Sequence, residues 1–165
     1  MAKKPSAGTA AIQALTKAKV LFTLHEYEHT PGETHFGEET VARLGLDPAR
    51  VFKTLLAEVT LNGKDQLVVG VVPMSGQMDL KALAAAVGAK KAAMADPAAA
   101  ERATGYVVGG ISPFGQKTRH VTVVDESATG FPTVYVSAGR RGLQVEVDPA
   151  DLIRLTAAAT APIGR

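Results

Sequence analysis

The sequence predicts a single α/β (α+β) domain built on a mixed, largely antiparallel sheet flanked by helices. Three observations predict it. Asn62-Gly63 lies between two apolar runs, the strongest short signal for an antiparallel hairpin. Capped helical stretches alternate with β-rich stretches along the chain. No internal repeat or linker divides the 165 residues, which are enough for one core.

The elements follow in order. Residues 1–8 are expected to be a flexible tail, 9–156 the domain, and 157–165 a frayed Ala-rich tail. Thr9 caps a helix running to Lys17 or Lys19, with Ile12, Leu15 and Lys19 on one face. Phe22 to Tyr27 alternates as a strand, and His29-Thr30-Pro31-Gly32 breaks it. Phe36 to Leu44 reads as a short helix stopped by Gly45. Asp47-Pro48 opens one helical turn. The hairpin pairs a strand from Phe52 to Leu61 with one from Gln66 to Val72, and Pro73 ends it. Asp79 caps a helix through Val87, and Asp96-Pro97 opens another that ends near Gly105. His120–Asp125 and Thr133–Ser137 read as strands parted by Gly130-Phe131-Pro132. Gly139 to Gly142 turns into a strand from Leu143 to Val147. Asp148-Pro149 starts the last helix, with Asp151 at its third position.

Composition narrows the function classes. The chain is 46% hydrophobic and 21% charged, with net charge +2, which neither demands nor excludes a nucleic-acid partner. Absence of cysteine excludes disulfides, thiolate metal sites and a cysteine nucleophile. Met1 to Gly8 is basic without an apolar core, so no secretory signal is expected, and no apolar run suits a membrane span. A cytoplasmic enzyme or binding domain is the expected setting.

Gly105 to Lys117 is the densest glycine cluster in the chain. Such a loop either turns a corner or brings backbone N–H groups close to an anion or oxyanion. Its near-match to a phosphate loop fails, because Gln116 intrudes before Lys117 and a β-rich segment follows. No Gly-x-Gly-x-x-Gly opens a helix, so a dinucleotide cofactor is not expected. His25, His29, His35 and His120 lack a metal-binding pattern and read as solvated or hydrogen-bonded. The serines lack a nucleophile-elbow context. Lys53 stands apart. Strand alternation puts it on the face of Val51, Leu55 and Ala57, where its ammonium either reaches water at the strand end or serves a site.

Several stretches carry a family resemblance. Tyr27-Glu-His29, Val51-Phe-Lys-Thr-Leu-Leu56, Pro73-Met-Ser-Gly-Gln-Met-Asp-Leu-Lys81, Thr104-Gly-Tyr-Val-Val-Gly-Gly-Ile-Ser-Pro113 and Tyr135-Val-Ser-Ala-Gly-Arg-Arg-Gly-Leu143 resemble the YbaK family. These are Cys-tRNA(Pro) deacylases, related to the editing domain of bacterial prolyl-tRNA synthetases. The resemblance runs from about Ala10 to Leu155. It implies a strongly bent mixed sheet and removal of cysteine mischarged onto tRNA(Pro), with Cys-tRNA(Cys) as a further substrate. It implies catalytic roles for Lys53 and for Gly109, Gly110 and Ile111 of the glycine loop. It implies substrate-binding roles for Tyr27, Phe36, Thr54, Ser112, Pro113 and Ser137. Aminoacylated tRNA and prolyl-tRNA synthetase are the implied partners, with no metal or other cofactor. Many relatives carry an acid where this chain has Gln144, so Gln144 stays outside the expected catalytic set and Glu146 does not inherit the role. The alternatives are a hydrolase for another mischarged tRNA, such as Ala-tRNA(Pro), and a non-catalytic module that binds tRNA or a synthetase.

Overall fold

The computed structural model describes residues 8–165; residues 1–7, most of the expected N-terminal tail, lie outside the described residues. Local signals set most elements. Helix α1 spans Ala10–Ala18, α2 Phe36–Leu44, α3 Leu80–Val87, α4 Pro97–Thr104 and α5 Pro149–Thr156. The side chains of Thr9, Asp79, Asp96 and Asp148 accept N–H groups in the first turns of α1, α3, α4 and α5, as their positions predict. Strands β1 (Phe22–Glu26), β2 (Phe52–Leu61), β3 (Lys64–Pro73), β5 (Val121–Asp125), β6 (Val134–Arg140) and β7 (Leu143–Val147) fall where alternation puts them. Two further strands, β4 (Ala92–Met94) and β8 (Ala159–Ala161), are short.

The strands form two sheets. One is antiparallel, in the order β1-β7-β6; the other is mixed, in the order β4-β2-β3-β5-β8. A parallel bridge between Val51 and Tyr135 joins them, so the expected bent sheet is realised as two sheets meeting at the start of β2. The parallel pairing of β3 with β5 needs a crossover. That crossover carries α3, β4, α4 and the glycine loop, which brings the loop back over β2.

Alternation along β2 and β3 sends side chains to two cores. Phe52, Leu56, Val69 and Val71 pack with Leu15, Val136 and Val145 on one side. Ala57, Val59, Val68 and Val72 pack with Leu83, Val123 and Ile163 on the other.

Three expectations need correction. Residues 157–165 do not fray. β8 pairs in parallel with β5, Ile163 is fully buried, and Arg165 exchanges two backbone hydrogen bonds with Gln77. The turn expected over Gly139–Gly142 is shorter, because β6 continues to Arg140 through an irregularity after Ser137. A 3₁₀ helix, Glu126–Gly130, precedes the Phe131-Pro132 segment that parts β5 from β6.

Candidate active site

The two sheets diverge from a common strand, and a cleft opens where they part. The Arg50 carbonyl accepts the Tyr135 N–H of β6, and the Leu56 carbonyl accepts the Ala95 N–H that follows β4. Backbone groups of alternate strand residues point to the same edge, so those of Phe52 and Thr54 lie on the edge between these attachments. No strand pairs with that edge at Thr54, since β4 begins its pairing only at Ala57. The cleft lies along this gap, with a volume of about 430 Å³. All six residues from Val51 to Leu56 line it, because side chains from both faces of an open strand edge border the same space.

The lining sorts the sequence-predicted residues. Lys53, Phe36, Thr54, Ser137, Gly109 and Ile111 all face the cleft. Lys53 is half-buried and has no carboxylate partner among the described residues. Thr54 is 8% exposed, and its Oγ1 is a buried side-chain oxygen without a hydrogen-bond partner among the described residues. Leaving such a hydroxyl unpaired at a cleft wall costs roughly 1–3 kcal/mol. Ser137 Oγ accepts the Gly139 N–H at 3.2 Å, which leaves its own proton free to donate.

The glycine loop divides. Gly109 has φ +91°, and a Cβ there would fall 2.6 Å from the Phe36 ring. Among the described residues neither the Gly109 nor the Ile111 N–H has a protein acceptor. Gly110 behaves differently: its N–H donates to the Val107 carbonyl at 2.8 Å, and a Cβ there would meet the Arg140 backbone at 2.7 Å. Its N–H is therefore committed within the loop, and close packing of two chain segments explains the glycine. Gly110, expected in the catalytic set, thus has no free N–H to offer.

Three other expected residues stand outside the lining. Tyr27 sits one layer back, its hydroxyl 2.7 Å from Thr40 Oγ1, and Thr40 is the residue that faces the cleft. Burial raises the Tyr27 hydroxyl pKa, so it stays protonated. Ser112 is fully buried, and its Oγ accepts the Phe114 N–H. Pro113 faces a second cavity behind the loop.

Gln144 is the residue that sequence reasoning set aside. It is 7% exposed, lines the cleft and pairs in register with Ser137. Glu146, two residues on, is engaged elsewhere. The Thr133 hydroxyl and the His25 ring bond its carboxylate and hold its pKa below the usual carboxylate range, against the upward push of burial.

Arg141 braces the rim. Its Nε donates to the Val108 carbonyl at 2.9 Å, and its guanidinium lies 4.5 Å from the centre of the Phe36 ring. With Gly109 also against that ring, Phe36 is a fixed wall. Glu39 anchors the other end of the same helix turn. Burial pushes its pKa up, but the Thr30 N–H and the His29 ring, 2.6 Å away, outweigh that and hold it low.

Thr54→Val tests the orphaned hydroxyl. A methyl group in place of Oγ1 removes an unsatisfied buried polar atom, so stability rises by about 1 kcal/mol and Tm by about 2–4 °C. Ligand turnover falls, and calorimetry paired with an activity assay checks both.

The pattern of the aminoacyl-tRNA editing domain family matches residues 30–155. The chain is 40% identical over 155 residues to the Enterococcus faecalis (strain ATCC 700802 / V583) protein named "Putative Cys-tRNA(Pro)/Cys-tRNA(Cys) deacylase EbsC", covering 93% of this chain and 92% of that one. It is 32% identical over 104 residues, 62% of each chain, to the "Multifunctional Ser/Thr-tRNA deacylase ProXp-y" of Escherichia coli (strain K12). A solved structure described as "a putative trans-editing enzyme for prolyl tRNA synthetase" shares the fold, with TM-score 0.79 over 99% of both chains at 23% identity.

Proposed function

The chain belongs to the aminoacyl-tRNA editing domain family, and from that premise we propose that it is a trans-editing deacylase that removes cysteine from mischarged tRNA(Pro). The observation that carries the site assignment is the open edge of β2, where the orphaned Thr54 hydroxyl and the unpaired Lys53 ammonium share one cleft. The aminoacylated end of a tRNA supplies what both groups lack: hydrogen-bonding atoms of the ester for Thr54, and for Lys53 the nucleotide phosphate or the charge that develops on the carbonyl oxygen.

The chain has no cysteine, and among the described residues no cleft serine is paired with a histidine, which favours a nucleophile from the substrate or from water. The substrate's thiol, with an intrinsic pKa near ~8.5, is a few per cent thiolate at neutral pH. Its sulfur attacks the ester carbonyl, a carbon–sulfur bond forms, and the carbon–oxygen bond to the terminal ribose breaks. The ribose oxygen leaves with a proton, and cysteine departs as a cyclic thiolactone. The Gly109 and Ile111 N–H groups polarise the carbonyl, while Lys53 stabilises the developing charge or holds the terminal nucleotide. Ser137 and Gln144 contact the aminoacyl group from β6 and β7.

A second reading is favoured by the polar floor of Thr54, Ser137 and Gln144 and by the likeness to the Ser/Thr-tRNA deacylase: water-driven hydrolysis of hydroxyl-bearing aminoacyl-tRNAs. A panel of Cys-tRNA(Pro), Ser-tRNA, Thr-tRNA and Ala-tRNA(Pro) separates the two. Rapid loss of cysteine with trapped thiolactone supports thiol attack. Faster loss of serine or threonine supports the second reading. If none is deacylated and tRNA only binds, the chain is a binding module. Adding prolyl-tRNA synthetase to the same assay tests partnership through any gain in selectivity for tRNA(Pro).

A further inference from the structure

A second cavity, of about 220 Å³, lies behind the glycine loop and is lined by Pro113, Gln116, Arg119, His120 and Leu155 among others. Among the described residues its charged lining is basic, and no carboxylate lines it. Arg119 is exposed and makes no ion pair among the described residues.

A relay of hydrogen bonds fixes the tautomer of His120. Gln116 Nε2 donates to the Ser112 carbonyl at 2.9 Å, which orients the amide. Gln116 Oε1 then accepts from His120 Nδ1 at 2.8 Å, so Nδ1 carries the proton. Nε2 is left as a bare acceptor, without a partner among the described residues. Burial lowers the His120 pKa, which keeps the ring neutral near pH 7. The cavity lining thus includes a cation and a neutral acceptor from adjacent residues. A ribonucleotide matches both, with its phosphate and its 2′-hydroxyl donor.

Position supports the match. Ile111 lines the cleft and Pro113 lines this cavity, so the loop partitions the two sites over about 7 Å of chain. The loop that walls the cleft therefore also walls this cavity. We propose that this cavity is a ribose–phosphate subsite for the acceptor strand of the tRNA, with Arg119 on a phosphate and His120 Nε2 accepting a 2′-hydroxyl. The proposal rests on the deacylase reading and says where that substrate is gripped.

The test compares two substrates bearing the same amino acid: Cys-tRNA(Pro) and the cysteinyl ester of adenosine, which has no preceding phosphate. For the wild type, kcat/KM favours the tRNA. In Arg119→Ala and in His120→Phe, the ratio of tRNA to adenosine kcat/KM falls about tenfold, and for Arg119→Ala the salt dependence of tRNA binding drops by about one charge. An unchanged ratio in Arg119→Ala overturns the subsite while leaving the deacylase reading intact. So does an equal loss on both substrates, which reports a disturbed loop. A wild type inactive on both substrates overturns the deacylase reading and, with it, the role of the cavity.

Discussion

Lys53→Ala lowers kcat/KM for the mischarged tRNA by about 10²–10³-fold while leaving the fold in place. On the proposed mechanism, the size follows from the loss of one charged group that stabilises developing negative charge. The ammonium is half-buried at the start of β2 and holds no ion pair among the described residues. Its removal therefore changes stability by no more than about 0.5 kcal/mol. Lys53→Arg restores little, because a planar guanidinium presents its donors differently from a compact ammonium. Single-turnover deacylation and thermal unfolding, measured on the same preparations, check the pair of outcomes. Activity near that of the wild type in Lys53→Ala would remove Lys53 from the mechanism.

Ile163→Ala has the opposite profile and destabilises by about 3 kcal/mol, roughly 6–12 °C in Tm. Ile163 is fully buried against Leu83 and Val123, and a truncated side chain leaves a cavity under α3. Asp125→Ala is comparably damaging, since its carboxylate accepts the N–H groups of Ile163, Gly164 and Ser127. Chemical denaturation checks both. Activity is lost with the fold and at intermediate temperatures falls sooner than unfolding, because Arg165 holds Gln77 in the segment that leads from Met74 of the cleft wall to α3.

What could be read from sequence was local. Thr9, Asp79, Asp96 and Asp148 announce their helices because a cap and its target N–H are two or three residues apart. Asn62-Gly63 announces its hairpin for the same reason, and both residues take positive φ. β4 and β8 were not legible. Each is three residues rich in alanine, and each is a strand only because a distant partner offers an edge. The site divides along the same line. Lys53, Thr54, Phe36 and Ser137 were placed through the family motifs, and the cleft does gather them. Gln144 depended on the register of β6 against β7, which no local pattern encodes. The close packing that requires Gly110 was not legible, because the Arg140 backbone that crowds it is thirty residues away in sequence.

The bare edge of β2 also bears on solubility. Unpaired strand edges recruit strands from other molecules, and proteins that keep long ones exposed tend to aggregate. Here the bare stretch centres on Thr54 and is closed above and below by the pairings at Arg50 and Leu56. A second chain would need several consecutive residues in register to gain from docking, and the gap admits too few. On the proposed reading, the slender ester of the substrate enters where a polypeptide strand does not. The fold thus keeps its unpaired edge too short for a second copy to dock on.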